Sequence, residues 1–494
     1  MTQINQYSTE ITPLGGANEL SDADFFDVDK LIDGDLGIFQ SQKITFQSLA
    51  TYFGGTIANT WTIPLTAFVD PASGTIGGVV GDGNKPFQTI EQANASGASF
   101  VRLLPGIYAG TNVLESKIYY SDPGVNFPIN SKITDNGLSI NAAFIGNAVF
   151  GTNSFGIETT ADSNLYVECE EFDNTRNFVF TLSDTLTANV FVRVKKGVVV
   201  NTDNGAAFGS QVRGGSKITC VTPYWYCNHW SVSYGANLTA ETSTFILRCP
   251  DVKTLGFGWA GNIAKGLVSV PGTVAGSNVR FELDLQGGIL VNEHPVQTLS
   301  FGAFDSALMS YTNNLNPANN CELIFKNGTV EGGQLFGLCH HFAVTVGKIV
   351  LDNIILKSET RALNIYLSNN AGNGQRVEHV FKNVDFQGTQ PDKIGNSQIC
   401  HFKNTTQKIT DAAANEIIEY DPINPADPSI LYFIDHNAEL ENAGGGQFVS
   451  NNIAGTLFGM LNTHCTEVLS VGLPLVVDTW GGFNTIPTLK LPTQ

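Results

Sequence analysis

CELIFKNGTVEGG (321–333), KIVLDNIILKSET (348–360), VEHVFKNVDFQGT (377–389) and ICHFKNTT (399–406) are versions of one phrase. Each opens with alternating apolar residues and reaches an Asn, usually followed by a second short apolar run and then polar residues. The asparagines are Asn327, Asn353, Asn383 and Asn404, separated by 26, 30 and 21 residues. Apolar residues at every second position give a strand with one buried and one wet face. Strand-and-turn units recurring at roughly 20–50 residues mark a stacked array. One unit cannot hide its apolar side alone, so neighbours hide it together. Such stacking requires parallel strands, with turns that carry the chain to the next layer. A single Asn is ordinary turn chemistry, because its side chain caps its own backbone. Four in one phrase predict a ladder, in which a buried Asn bonds to the Asn of the next layer.

Bulk composition fits a stack. At 494 residues the chain exceeds one ordinary core, whereas a stack grows along one axis. With 51 Gly, 32 Phe and only 3 Met, the composition favours turns and strands over helices. A net charge of −19 excludes a nucleic-acid partner, which needs clustered Lys and Arg; Lys195-Lys196 is the densest basic pair. The same acidity keeps a protein soluble at high concentration. The cysteines, Cys169, Cys220, Cys227, Cys249, Cys321, Cys339, Cys400 and Cys465, form no CxxC pair, and several occupy positions held elsewhere by Val or Ile. They read as small buried apolar residues, consistent with assembly in a reducing cytoplasm. MTQINQYSTE lacks the basic start and apolar core of a signal peptide. No run approaches the ~20 apolar residues of a membrane span, so no membrane insertion is expected.

Residues 1–53 read as a separate module, with an N-cap candidate at Ser21, a turn at Asp33-Gly34, a short strand and a helix from Thr45 to Phe53. DVDKLIDGD misses the oxygen spacing of a calcium loop and reads as a solvated acidic turn. Residues 54–82 read as a linker. Residues 83–410 form the stack, entered through GNKPFQTIEQANASGASFVRLLPGIYAG. There Pro86 starts a short helix near 86–94, Phe87, Ile90 and Ala93 share its apolar face, and Gly97 ends it. Such a helix covers the apolar end and open strand edges of the array. SFVRLLPGIY then reads as a strand, a Pro-Gly turn and a new strand. Residues 411–494, opening with the proline-rich EYDPINPADPS, form a distinct β-rich segment. It is a terminal cap, a trimer contact or the start of a β-sandwich.

KPFQTIEQA followed by VRLLPGIY resembles the leading segment of the pectate-lyase-like right-handed β-helix superfamily, as found in bacteriophage tailspikes and tail fibres. The likeness covers this segment and, more loosely, the layers to Asn404. Residues 1–53, with DADFFDVDK and FQSQKITFQSLA, are similar to the leading segments of phage tail proteins that attach to the virion. The resemblance implies a homotrimer. The chain departs from polysaccharide lyases in lacking an acidic calcium cluster with its Arg or Lys base.

Several residues are candidates for chemistry. Glu282 and Asp284 alternate on one face of FELDLQ, as Glu168 and Glu170 do on YVECEE. Same-face neighbours lie ~7 Å apart, compatible with a glycan-cleaving acid/base pair; their ordinary reading is the wet face of a strand. Glu293-His294 and Asp305 are loop candidates of the same kind. His340-His341 beside Cys339 lack the further ligands of a metal site, so no metal or cofactor is expected. Tyr224, Trp225, Tyr226, Trp230 and Tyr234, with Trp259, form the glycan-binding candidate, because aromatic faces stack on sugar C–H faces; His229 lies among them. Burial between subunits is the competing reading.

The expected protein is all-β: a right-handed parallel β-helix with an N-terminal attachment module and a β-rich C-terminal segment. It is expected in the virion, as a trimeric tail fibre or tailspike bound to other tail proteins through residues 1–53. It would recognise host surface polysaccharide and be assembled in host cytoplasm. A glycan depolymerase using Glu282 and Asp284 is the alternative, and a purely structural tail or capsid spike the second.

Overall fold

The computed structural model describes residues 25–33, 38–45, 66–201, 208–254 and 278–292, and from 267 to 479 the strands and short turns named below. Apart from one short helix the described elements are strands, and nearly all are parallel. Thr66–Val69 pairs with Phe100–Leu103, which pairs with Ile118–Ser121. The same pairing continues through Asn141–Gly146, Asn164–Thr175, Asn189–Val200, Lys217–Val221, Thr242–Arg248 and Asn278–Asp284. It then runs through Asn320–Gly332, Gly347–Ser358, Val377–Gly388, Gln398–Ile409, Ile430–Leu440, Leu457–Leu461 and Val476–Thr479. Between visits to this sheet the chain adds strands to an eight-stranded sheet, from Thr111–Val113 to Met309–Tyr311, or a six-stranded one, from Cys339–His340 to Val468–Ser470. The offset between paired residues varies from 18 (Phe100 to Ile118) to 42 (Asn278 to Asn320).

The long strands bend at the ladder residue. In Gly347–Ser358 the buried positions are Ile349, Leu351, Ile354 and Leu356. Strict alternation slips by one residue at Asn353, whose φ is +58°. The slip turns the chain yet keeps both halves facing inward. Asn327, Asn383, Asn404 and Asp435 hold the same left-handed backbone, which Asn and Asp tolerate better than other residues with a Cβ. Asn353 Nδ2 donates to Asn327 Oδ1 at 3.3 Å, and Asn404 Nδ2 to Asn383 Oδ1 at 2.7 Å. Asn383 instead donates to Asp352 Oδ1 and Asn327 to Asp284 Oδ1. Burial, expected of these residues, is a correction: Asn353, Asn383 and Asn404 are exposed and Asn327 is half-buried. The bend conformation, with layer-to-layer bonding added, explains the recurrence. Asn383→Val should therefore cost about 1–2 kcal/mol in equilibrium unfolding and Asn383→Gly much less; equal losses would mean the backbone conformation is not the cause.

The interior is lined with aromatic rings. Phe127, Phe150 and Phe172 stack at 4.9 and 4.5 Å between centroids. The run continues through Phe178, Trp225, Phe245 and Phe281 to Phe325. Phe381, Phe402 and Phe433 form a second run at 4.9 and 4.6 Å. Such contacts add about 0.5–1.5 kcal/mol each beyond area burial, which accounts for the heavy use of Phe. Cys169, Cys220, Cys227, Cys249 and Cys400 are buried, as their Val-like positions predicted. Burial pushes the Cys249 thiol up to about 12.

The helix spans Ile90–Ala95, with Thr89 as N-cap and Gln92 completing a capping box. Pro86 does not start it, because Phe87 is still extended: its N–H donates to Phe68 O and its carbonyl accepts from Asp70 N. Ile90 and Ala93 are buried as predicted. Glu91 Oε1 accepts from Val113 N at 2.9 Å, and Asn94 bonds Val113 O and the Tyr119 hydroxyl. These contacts fasten the helix to the first layers.

Three boundaries change. Thr66–Val69 already belongs to the main sheet, so 54–82 is not all linker; residues 54–65 lie outside the described residues. Parallel pairing continues to Thr479, so the prolines after Glu419 do not end it and 411–494 is not a separate β segment up to that point. Phe25–Asp33 pairs antiparallel with Ile38–Thr45 about the expected turn. Residues 25–33, where an N-cap at Ser21 implied a helix, are strand; Ser21 and residues 22–24, 34–37 and 46–53 lie outside the described residues.

Candidate functional site

The aromatic candidates are interior. Tyr224–Cys227 and Trp230–Tyr234 are strands of two sheets, where a surface insertion was expected. Trp225 and Tyr234 are 0% exposed and Trp230 6%. Trp225 lies edge-on between Phe178 and Phe245, and its Nε1–H donates to Ser231 Oγ at 3.1 Å. The Tyr234 hydroxyl donates to Arg280 O. These three therefore do not form a sugar-stacking face. Tyr224 and Tyr226 are half-buried, His229 Nδ1 accepts from Trp230 N, and Trp259 lies outside the described residues. The tract read as an insertion is strand instead, with Trp225 inward between the half-buried Tyr224 and Tyr226.

Glu282 and Asp284 also take another role. They lie 7% and 5% exposed. Glu282 meets Lys326 Nζ at 2.7 Å and Arg280 Nη2 at 3.0 Å. Burial alone would raise its carboxyl, but the bonds to Lys326 and Arg280 outweigh burial and hold it below the usual range. A general acid must keep its proton near the working pH, and Glu282 does not. Asp284 Oδ1 accepts from Gln286 N and Asn327 Nδ2, bracing the first ladder residue. Glu168 and Glu170 pair outward with Lys195 and Lys196, both at 3.3 Å. Glu293, His294, Asp305 and His341 lie outside the described residues, and His340 is described only as part of the strand Cys339–His340. Among the described residues no cluster of three His, Cys, Asp or Glu is placed to hold a metal.

A groove of about 610 Å³ opens on the outer face just beyond the bends. Glu331, Lys357, Asp385, Gln387 and Lys408 line it, with the hydroxyl residues Ser358, Thr389 and Thr410. The register aligns them. Glu331, Lys357, Gln387, Lys408 and Glu439 stand opposite one another in successive layers. Thr329, Ile355, Asp385, Thr406 and Asn437 form a second column beside the first. Lys357 pairs with Glu331 at 3.0 Å, and Lys408 with Glu441 at 2.9 Å and Glu439 at 3.4 Å. Asp385 accepts from Gln387 Nε2 and Thr406 Oγ1, both at 2.5 Å. None of the lining residues was singled out in the sequence. The signal was present: the columns are the positions two and four after each ladder residue.

Behind the groove lies a buried polar network. Gln407, on the strand of Lys408, donates Nε2–H to Asp392 Oδ2 at 2.6 Å, and Leu363 N–H donates to Asp392 Oδ1 at 2.7 Å. Thr405 Oγ1 and His436 Nδ1 are 2.7 Å apart. Burial raises Asp392 to about 7 against these bonds, and burial lowers His436 to about 3. A folded carboxyl that keeps its proton longer than the unfolded one stabilises most at acid pH, and its contribution declines as pH rises from about 4 to about 7. Asp392→Asn should remove this component: the stability difference between variant and parent, from urea midpoints, should shift in the variant's favour between pH 5 and pH 8. A pH-independent difference would show that Asp392 titrates normally.

No protein-family profile, curated protein or solved structure matches the chain.

Proposed function

We propose that this chain is a virion protein, a homotrimeric tail fibre or tailspike built on a right-handed parallel β-helix, that recognises host surface glycan. The return of the chain to the main parallel sheet in layer after layer, with a strand of the eight- or the six-stranded sheet in between, supports the helix. The observation that carries the function is the groove: two registered columns of hydrogen-bonding side chains on a stiff parallel sheet. Rigid placement of many weak polar contacts suits a repeating polymer, and three copies add avidity. Residues 1–53 attach the chain to other tail proteins, and the buried thiols agree with folding in host cytoplasm before release.

A depolymerase is the second reading, favoured by the carboxylates Glu331 and Asp385 in the same groove. Incubation of the purified protein with host capsule or lipopolysaccharide tests both. Binding without fragment release supports the adhesin. Fragments whose release is abolished by Glu331→Gln or Asp385→Asn support the enzyme. No binding to the host envelope overturns both and leaves a structural spike.

A further inference from the structure

Charge bookkeeping across the groove narrows what can lie in it. Its lining carries two ammoniums, Lys357 and Lys408, and two carboxylates, Glu331 and Asp385, while Glu439 and Glu441 just beyond it both pair with Lys408. Both ammoniums are engaged by carboxylates at 3.0 Å and 2.9 Å. A uronate or sialate would have to break one of those pairs, enter a face with no net positive charge and approach a chain of net charge −19. A polycation fares little better, since Glu331, Glu439 and Glu441 face lysines and Asp385 already takes two hydrogen bonds. What remains is a surface of dipoles and compensated charges, with hydroxyls along one wall and Ile355, 37% exposed, in the second column. Hydroxyl groups hydrogen-bond such pairs without displacing them, and an apolar sugar C–H face covers the isoleucine.

Geometry sets the direction. Neighbouring layers stand ~4.8 Å apart, on the order of one pyranose unit. The columns run over five layers, from Glu331 to Glu439 and from Thr329 to Asn437, and so offer roughly 19 Å of registered side chains. We infer that the groove formed by Glu331, Lys357, Asp385, Gln387 and Lys408 takes an uncharged polysaccharide lying lengthwise across the layers, so that successive sugars meet successive side chains. This inference rests on the proposed glycan recognition and adds the class and orientation of the ligand.

The experiment uses the full chain and purified bacterial surface polysaccharides, uncharged and uronate- or sialate-containing, immobilised separately. The expected result is binding to an uncharged polymer, little weakened by added salt because no net charge is neutralised. Gln387→Ala combined with Lys408→Ala should weaken it about tenfold or more, as loss of one or two hydrogen bonds predicts. Lys348→Ala, which removes the 3.4 Å pair with Glu378 on the other outward face of the same layers, should leave binding unchanged and serves as the folding control. Binding confined to acidic polymers, or binding to an uncharged polymer unchanged in the double variant, overturns this inference while leaving glycan recognition standing. Failure of every polymer to bind overturns both.

Discussion

Trp225→Ala should destabilise the layers around it by about 3–5 kcal/mol, the usual cost of emptying a large aromatic site in a packed core. Trp225 is fully buried, touches Phe178 and Phe245 through its edges, and satisfies Ser231 Oγ. Truncation removes the ring contacts, opens a cavity and leaves that hydroxyl without its donor. In a stack, each layer holds only its neighbours, so the damage should be local. Amide exchange should accelerate first in the paired strands around Val198 and Val252, while distant layers keep their protection. Tyr224→Ala, at the half-buried neighbour, is the comparison and should cost far less. Equal losses at the two sites would mean that the tryptophan does not face inward.

Asp135→Ala should cost about 3–5 kcal/mol, because it strands donors gathered around one buried charge. The carboxylate is 0% exposed. Oδ1 accepts from Thr160 N at 2.9 Å, Thr160 Oγ1 at 2.6 Å and Gly137 N at 3.3 Å. Oδ2 accepts from Ser163 Oγ at 2.9 Å and Ala161 N at 3.2 Å. One side chain thus pins its own turn and the equivalent turn of the next layer. Asp135→Asn should rescue little, since its amide would point a donor at donors. Thermal midpoints and exchange rates across 160–164 measure the effect. A loss below about 1 kcal/mol, the worth of one ordinary hydrogen bond, would show the turn to be held by its backbone alone.

The sequence displayed the stacking more clearly than its surface. Asn327, Asn353, Asn383 and Asn404 were legible because the bend in each of these layers takes a positive φ and few residues supply it. Ile90 and Ala93 were legible because a helix on an apolar end keeps a 3.6-residue period. The tract around Trp225 misled, since an aromatic-rich run reads alike as an exposed insertion or a buried strand until its pairing is known. The extent of the stack was hidden for a different reason. Paired residues lie anywhere from 18 to 42 positions apart, so Thr66 and Ile430 show no fixed distance to their partners. The groove was least visible of all, because Glu331, Lys357, Gln387 and Lys408 belong to four layers and become neighbours only through parallel pairing.

That uneven spacing also separates the frame from its corners. Strands stay aligned whether eighteen or forty-two residues intervene, so a corner can gain or lose a tract without disturbing the wall beneath it. The length of a corner tract is thus decoupled from the frame, which the bend residues and inward rings define.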